Sequence, residues 1–272
     1  RRRPRMPSAR PELLTAVFIA ALSLVLGLAT PGNDDLPERY RPVSNVLGYV
    51  FFLAWSCSFY PQVVQNRARA DTTGLDPDYL WLNLVGYALY AAYNGLFYAD
   101  ERLRRRYADA HRGSEILVEL HDLLFAVHGL ALTAVQVAQC LYYNGAAQTP
   151  SRPFAALCAA LLLVPLAWFA ASPDLTVLQV SFLSYEKLFV TVVKYMPQLA
   201  SNHARRSTEG WSIGNILLDF TGGVFSTLQL VLDEAATADA GGLAGNLAKL
   251  GLGMVSIVYD VLFMLQHYCL YK

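Results

Sequence analysis

The sequence has 272 residues, of which 55% are hydrophobic and 15% are charged, whereas a typical soluble domain is about 25% charged. Its 21 basic and 21 acidic residues balance, so net charge gives no reason to expect a nucleic-acid partner. The four cysteines lie inside apolar runs and form no ligand cluster in the sequence, so no metal site is expected. The composition therefore predicts a protein of the lipid bilayer, and the length of its apolar runs, described below, predicts an all-α one.

The chain begins with a basic segment followed by an apolar run, Leu13–Thr30, that ends in small residues. This pattern is typical of a secretory signal peptide, and a permanent anchor is the alternative. We expect residues 1–30 to be that signal or anchor and residues 31–43 to be a short luminal segment. A cleaved signal places the mature amino terminus in the lumen. The loop arginines do not support this orientation, because Arg102–Arg106 fall on the luminal side.

Seven apolar runs follow the luminal segment. Each has about the 20 residues that a helix needs to cross a bilayer core. They are Ser44–Val64, Tyr79–Tyr98, Val118–Tyr143, Phe154–Ala171, Leu175–Ala200, Ser212–Leu232 and Leu247–Tyr271. We therefore expect seven transmembrane helices, which put the carboxyl terminus in the cytosol if the amino terminus is luminal.

The two halves of the chain resemble each other at an offset of 136 residues. The matches include Pro61-Gln62 with Pro197-Gln198, Asn66 with Asn202, Arg69 with Arg205, Gly74 with Gly210 and Asn83 with Asp219. Further on, Asp122–Phe125 matches Asp260–Phe263 at an offset of 138. Helices 1–3 thus match helices 5–7 in the same sense, as in parallel-repeat transporters. We predict two triple-helix bundles, residues 44–143 and 175–272, joined by residues 144–174 with helix 4.

Proline lies near the end of one apolar helix in each repeat. It removes a backbone donor and bends or loosens the helix. Because the two breaks occupy equivalent positions, we predict that Pro61, Gln62, Pro197 and Gln198 form paired hinges for alternating access. A static kink is the alternative.

Ionisable residues inside the predicted spans are costly in a bilayer and usually face a cavity or a partner. They are Asp122, His128, Glu186, Lys187, Lys194, Asp219 and Asp260. Lys187 and Lys194 share a helical face because they are seven residues apart. Lysines can hold carboxylates, and Asp and Asn can accept from ammonium groups, so the mixture suits a zwitterionic ligand. The aspartates are candidate proton carriers, with a structural pairing as the alternative for each.

The blocks Lys194–Gln198, Ser207–Gly223 and Ala54–Gln62, with the closing Gln266–Tyr271, resemble the cystinosin branch of the PQ-loop family. The resemblance covers residue 44 to the end. It implies export of cystine from the lysosome or vacuole, driven by protons, with a luminal amino terminus and a cytosolic carboxyl terminus. The substrate contacts that it implies are Trp55, Phe59, Asn83, Lys187, Lys194, Tyr195, Asn202, Asn215 and Asp219. The proton-linked acids that it implies are Asp219, with Asp122 and Asp260 as helpers.

One residue departs from that family pattern, since Glu186 is an acid where an uncharged residue is expected. The departure bears on substrate preference or proton stoichiometry. Two alternatives remain: a PQ-loop transporter of cationic amino acids or sugars, and a receptor or nutrient-signalling scaffold. The intramembrane lysines argue against a sugar. No nucleophile–base pair or metal constellation occurs in the sequence, so we expect no enzyme, no catalytic residue and no cofactor besides protons.

Overall fold

A computed structural model of the chain describes residues 10–34, 36–110, 116, 118, 120–172, 174–237 and 247–271. These residues form helices and connecting loops, with no strand among them, which confirms the predicted all-α class. The helices are α1 (Arg10–Ala29), α2 (Arg41–Arg69), α3 (Pro77–Ala99), α4 (Glu101–Ala110), α5 (Leu120–Asn144), α6 (Arg152–Ala171), α7 (Val177–Val193), α8 (Tyr195–Arg205), α9 (Ile213–Thr237) and α10 (Leu247–Leu265). A 3-10 turn, Gly145–Gln148, follows α5, and a π-helical turn, Gln266–Leu270, follows α10.

Helices occupy all seven predicted apolar runs, but they differ in length and composition. Five stretches of the described chain are long and apolar enough to cross a membrane: Arg41–Arg69, Leu120–Asn144, Arg152–Ala171, Ile213–Ala236 and Gly253–Leu270. Of the other two, α3 is made less apolar by its tyrosines and asparagines, and the run Leu175–Ala200 is divided between α7 and α8. The seven-crossing arrangement in two triple-helix bundles stays a prediction.

Local sequence signals explain where several helices begin. Asp76 caps α3, because its carboxylate accepts from the backbone N–H groups of Asp78 and Tyr79, and Pro77 follows at the first helical position. Thr176 and Gln179 cap α7 reciprocally, with each side chain bonded to the backbone N–H of the other.

The chain divides into two compact units. The first unit is Arg1–Ser58 with Ile213–Val261, and the second is Phe59–Ser212 with Leu262–Lys272. Within the first unit, Ile19 of α1 is buried against Val50 and Ala54 of α2. The helix that contains the predicted signal or anchor is therefore packed in this structure. Cleavage of this segment as a signal peptide stays a prediction. The predicted domain boundaries also stay predictions.

The second unit has α3 at its centre, in contact with α5, α6 and α7. An apolar cluster joins three of these helices, with Leu82, Val85 and Leu89 from α3, Cys158 and Leu161 from α6, and Leu183 and Val190 from α7. A second cluster holds α4 at the end of α3, because Leu103 is buried beside Phe97 and Val180. Arg102 and Arg104–Arg106 are exposed on α4. The arginine-rich segment between α3 and α5 thus contains a short amphipathic helix, α4. The hydropathy pattern did not predict this helix, because most of its residues are polar.

Candidate functional site

Two loops of the second unit meet through equivalent glycines. We call Ala70–Asp76 and Arg206–Ser212 together the loop junction. The backbone is left-handed at Gly74 (φ +108°) and at Gly210 (φ +93°). A Cβ on Gly74 would collide with the carbonyl oxygen of Glu209, and a Cβ on Gly210 would collide with that of Thr73. Only glycine satisfies both the left-handed conformation and this close backbone approach.

The glutamine of each Pro-Gln pair holds the loop of the other repeat. Gln62 Nε2 donates to the carbonyl of Gly210 at 2.9 Å, and Gln62 Oε1 accepts from the N–H of Ser212 at 2.9 Å. Gln198 Nε2 donates to the carbonyl of Gly74 at 2.9 Å, and Gln198 Oε1 accepts from the N–H of Asp76 at 2.7 Å. Both glutamines are almost fully buried. The two predicted hinge glutamines are therefore reciprocal clamps on the loop junction.

An amide network in the first repeat supports its glutamine. Gln62 Nε2 also donates to Asn66 Oδ1 at 2.8 Å, and Asn66 Nδ2 donates to Gln139 Oε1 at 3.1 Å. Gln139 Nε2 completes the path by donating to the carbonyl of Val63 at 3.0 Å. This network ties α5 to α2 through the half-buried amide of Gln139 and the buried amides of Gln62 and Asn66, and buried amides need such partners.

The second repeat contains an equivalent network. Gln198 Nε2 donates to Asn202 Oδ1 at 2.9 Å, and Asn202 Nδ2 donates to Gln266 Oε1 at 3.1 Å. Gln266 Nε2 donates to the carbonyl of Leu199 at 3.0 Å. Asn202 is fully buried, and Arg205 also donates to its oxygen. In this structure the amide of Asn202 is occupied by protein partners, so its substrate role stays a prediction.

These networks change the alignment of the third helix of each repeat. Gln139 and Gln266 play the same role at an offset of 127 residues, from 139 to 266, whereas the sequence match of Asp122 with Asp260 has an offset of 138. At the offset of 127, Asp260 aligns with Thr133, whose hydroxyl accepts from Asn83 Nδ2 at 3.4 Å. The hydrogen bonds therefore favour a register in which Asp122 and Asp260 are not equivalent.

The two prolines act differently on their helices. Pro61 lies inside α2, which is continuous from Arg41 to Arg69. Pro197 lies close to the boundary between α7 and α8 at Lys194. A proline cannot donate to the carbonyl four residues earlier, which here is that of Val193, so the helical ladder is weakened at this point. The backbone is still helical at Lys194 (φ −59°, ψ −32°), and its N–H donates to the carbonyl of Val190 at 2.9 Å. The structure thus shows a weakened hydrogen-bond ladder, and no change of backbone conformation, beside the second of the two predicted hinge prolines.

Charged side chains surround the loop junction. Arg205 donates to the carbonyls of Gly74 at 2.9 Å and Glu209 at 3.1 Å. Arg69 lies 3.4 Å from a carboxylate oxygen of Asp71. Partial burial of Asp71 opposes ionisation, but hydrogen bonds from Asn144 and Thr73 and the charge of Arg69 outweigh it and lower the pKa of Asp71 to about 2. Burial raises the pKa of Asp76, which caps α3.

A second polar region of the second unit consists of Asn83, Tyr87, Lys187, Lys194 and Tyr195, which we call the lysine face. Lys194 Nζ donates to Asn83 Oδ1 at 2.9 Å and lies 4.5 Å from the ring centre of Tyr195. Lys187 Nζ donates to the hydroxyl of Thr191 at 3.1 Å. Three residues that the sequence assigned to the substrate, Asn83, Lys194 and Tyr195, are therefore in contact.

Tyr87 connects the two lysines and was missed by the sequence reasoning. Its ring centre lies 4.8 Å from Lys187 Nζ and 6.0 Å from Lys194 Nζ, within the range of cation–π attraction. It also contacts the ring of Phe59, with the ring centres 5.3 Å apart. Tyr87 lies four residues after Asn83 and hence on the same face of α3, which is the signal that would have identified it.

The aromatic residues at equivalent positions of the two repeats, Phe59 and Tyr195, each pack among other aromatic side chains. Phe59 contacts Tyr87, Phe125 and His128. Its repeat equivalent, Tyr195, is stacked on Tyr79 at 5.6 Å and contacts the edge of Phe263 at 5.7 Å. Both are buried. His128 is thus an aromatic packing partner.

The first unit contains the remaining predicted substrate residues, Trp55, Asn215 and Asp219. Gly222 lies against the indole of Trp55, and a Cβ at this glycine would collide with the ring. Asp219 is half-buried, and its Oδ2 accepts from the hydroxyl of Ser256 at 3.4 Å. Asn215 is also half-buried, one helical turn before Asp219 on α9.

The helper acids lie in contrasting environments. Asp260 on α10 is fully buried in the first unit. Asp122 is in the first turn of α5 in the second unit, where it is half-buried and lies 3.6 Å from His121. The location of Asp122 at a helix end fits a wetted position more closely than the location of Asp260 does.

An open groove of about 560 Å³ lies beside Pro197 in the second unit. Its lining residues are Asp76, Asp78, Phe154, Met196, Pro197, Ala200, Ser201 and Ala204. None of the predicted substrate residues is in this lining, so the substrate role is not assigned to the groove.

Comparison with known proteins defines the class of this chain first. Residues 43–102 and 180–238 match the family described as PQ loop repeat, which confirms the internal duplication and makes this a protein with two such repeats. The chain is 39% identical over 233 residues to a cystinosin homolog of Dictyostelium discoideum, covering 85% of this chain and 82% of that protein. It is 42% identical over 278 aligned residues to a cystinosin homolog of Caenorhabditis elegans, covering 96% and 68%.

A more distant relative is the protein named cystine transporter of Saccharomyces cerevisiae, 24% identical over 245 residues, with 82% of this chain and 92% of that protein covered. The chain belongs to the cystinosin family of PQ-loop proteins. The resemblance that its sequence blocks indicated is thereby confirmed.

Proposed function

We propose that this chain transports cystine across the lysosomal or vacuolar membrane into the cytosol, coupled to protons, by alternating access. Family membership supports cystine as the substrate, since relatives carry the names cystinosin and cystine transporter. The observation that carries the proposal is the lysine face, because it brings two cations of a membrane-embedded chain to one aromatic side chain.

Cystine is a zwitterion with two carboxylates and two ammonium groups joined through a disulfide. Lys187 and Lys194 supply cations for a carboxylate, and the bond from Lys194 to Asn83 can be exchanged for a stronger charge-assisted one. Phe59 and Tyr195, at equivalent repeat positions, supply apolar surface for the disulfide. Trp55, Asn202, Asn215 and Asp219 complete the proposed substrate set.

Proton coupling is assigned in this proposal to Asp219, with Asp122 and Asp260 as helpers. A carboxyl group in a membrane-embedded protein changes its charge when its surroundings change, so it can link proton binding to conformation. The proposed hinges are Pro61 with Gln62 and Pro197 with Gln198. The backbone hydrogen bond that Pro197 cannot make to the carbonyl of Val193, close to where α7 and α8 meet, supports a flexible point in the second repeat.

The test is uptake of labelled cystine by cells or proteoliposomes that contain the full chain, at about pH 5.5 and about pH 7.4 outside. We expect saturable uptake that acid stimulates and that unlabelled cystine competes away. Competition by lysine or arginine instead would identify a transporter of cationic amino acids, and competition by glucose would identify a sugar transporter. Absence of any saturable flux would contradict transport and favour the hypothesis of a nutrient-signalling scaffold.

A further inference from the structure

Glu186 is an acidic residue in the apolar core of the second unit. Only 7% of its surface is exposed. The buried positions of α7 include Leu183, Glu186 and Val190, at spacings of three and four residues, so they form one stripe along the helix. Leu183 and Val190 both belong to the cluster that packs α7 against α3 and α6. The carboxyl group of Glu186 therefore lies on the packing face of its helix.

One of the two oxygens of this carboxyl group is buried without a donor in the described part of the chain. Glu186 Oε2 is buried and has no hydrogen-bond partner among the residues that the structure describes. The adjacent Lys187 projects about 100° away around the helix, where it lies over the ring of Tyr87. Asp71 provides a contrast, since Asn144 and Thr73 donate to its carboxylate.

An ionised carboxylate is costly at such a position, because nothing in an apolar core replaces the water that it loses. The neutral, protonated acid fits the observed packing far better. Loosening of α7 from α3 and α6 would admit water, stabilise the ionised form and favour loss of the proton. Proton binding at Glu186 is in this way linked to the packing state of α7.

The structure places several other ionisable groups around this core. They are Tyr87, Tyr90 and Tyr93 on α3, Cys158 on α6, Arg106 on α4, Tyr185 and Lys187 on α7, and Lys194 and Tyr195 at the start of α8. Tyrosine, cysteine, lysine and arginine ordinarily change their charge only above neutral pH. Two further carboxylates act on members of this set, since Asp122 interacts with Tyr90 and Tyr93, and Asp78 interacts with Cys158. Both lie in the first turns of their helices, and Asp78 accepts from Ser151. Glu186, on the packing face of α7, is the carboxylic acid whose proton the packing of α7 controls.

We propose that Glu186 is an additional proton-binding site of the transport cycle, holding a proton while α7 is packed against α3 and α6. On release, the O–H bond of the carboxyl group breaks, the proton passes to water, and the carboxylate remains on Glu186. No other bond changes. This inference rests on the proposed function and adds to it a residue outside the substrate and proton set assigned above.

The experiment compares the wild type with Glu186→Gln in proteoliposomes, measuring labelled cystine and proton movement in the same vesicles. Glutamine keeps the size of the side chain but cannot release a proton. We expect Glu186→Gln to transport cystine with about one proton fewer per cystine than the wild type, and with a shallower pH dependence. The matched control is Asp109→Asn on exposed α4, which should leave the ratio unchanged.

A second measurement is infrared spectroscopy of the full chain. The carbonyl stretch of a protonated, buried carboxylic acid should be present in the wild type and lost in Glu186→Gln. If that variant fails to fold, Glu186→Met fills the same space and serves for both measurements.

An unchanged proton ratio in a folded variant would overturn the inference and leave Glu186 as a neutral packing residue. Absence of the infrared band would overturn it as well. Absence of cystine flux in the wild type would instead refute the proposed function, and the infrared band would still decide whether Glu186 holds a proton.

Discussion

The loop junction and the lysine face lie in the same compact unit, but their polar groups are used in opposite ways. In the loop junction, side-chain amides of Gln62 and Gln198 bind backbone groups of the opposite repeat with reciprocal geometry. In the lysine face, two cations lie over tyrosine rings and one of them binds an amide oxygen. The first arrangement fixes the backbone. The second presents charge that a carboxylate can engage.

The comparison teaches that the Pro-Gln motif carries two separate tasks. The glutamine side chains contribute to structure. Removing Gln62 takes a partner from the carbonyl of Gly210 and the N–H of Ser212. Removing Gln198 takes one from the N–H of Asp76, whereas the carbonyl of Gly74 keeps Arg205. The proline weakens the backbone hydrogen-bond ladder where α7 and α8 meet at Lys194, and its role as a hinge stays a prediction. An interpretation of the motif as a hinge alone omits the hydrogen bonds by which each glutamine holds the loop of the other repeat.

The largest effect is expected at the glycines of the loop junction. Gly210→Ala adds a side chain in a left-handed region, which costs about 1–2 kcal/mol, and the overlap with the carbonyl of Thr73 adds about 1–3 kcal/mol more. We expect a marked loss of folded protein and a lower Tm. Gly145→Ala is the control, because its φ of +58° is also positive but its Cβ would meet no atom within 4 Å. Equal effects of the two substitutions would contradict the interlocked loops.

An intermediate effect is expected in the lysine face. Lys194→Met keeps an unbranched side chain and removes the charge, and a hydrogen bond to a charged group contributes about 1.5–3 kcal/mol. We expect the KM for cystine to rise by about tenfold to hundredfold in the protein that folds. We also expect a lower Tm, because the buried Oδ1 of Asn83 loses its donor. Arg67→Met, at the exposed end of α2, is the control for loss of one positive charge. A KM equal to that of the wild type would remove Lys194 from the substrate site.

The smallest effect is expected at Asp71. Its pKa is lowered to about 2 in the folded chain, so its ionised form contributes stability above its ordinary pKa of about 3.9. That contribution is lost as the pH falls toward 2. Since 37% of the side chain is exposed, screening limits it to about 1 kcal/mol or less. Asp71→Asn should therefore lower Tm slightly at neutral pH and have no effect near the acid end of this range.

The control for Asp71 is the exposed Asp109 on α4. Asp109→Asn should leave Tm unchanged at both pH values. A larger effect of Asp71→Asn in acid than at neutral pH would show that the hydrogen bonds from Asn144 and Thr73 do not favour the ionised carboxylate.

Local patterns in the sequence were sufficient for much of the fold. Hydropathy located a helix at each of the seven apolar runs, and the offset of 136 residues identified the repeat that the family comparison confirms. Helical spacing also placed Lys187 and Lys194 on one face, and the structure gathers both of them at Tyr87. Hydropathy and helical spacing depend on residues a few positions apart, and the repeat depends on similarity between two segments. All three can therefore be found without knowing which residues are in contact in the folded chain.

Features that depend on distant segments were not accessible in the same way. Gln62 reaches Gly210 across 148 positions, and Asn66 reaches Gln139 across 73. No local pattern in the sequence identifies such pairs, because these residues become neighbours only when the chain folds. The misleading offset of 138 between Asp122 and Asp260 has the same origin, since similar residues on two helices need not occupy the same face. The helix boundary at Lys194 was hidden by the continuous apolar run around it.

The most direct test of the central claim, proton-coupled cystine transport, compares the wild type with Asp219→Asn. Cystine uptake by proteoliposomes is measured as a function of outside pH, with protein amount and membrane insertion matched. The account predicts saturable, acid-stimulated uptake by the wild type and a loss of the pH dependence in Asp219→Asn. Uptake by the wild type that is absent or indifferent to pH would contradict the claim, and an unchanged pH dependence in the variant would remove Asp219 from proton coupling.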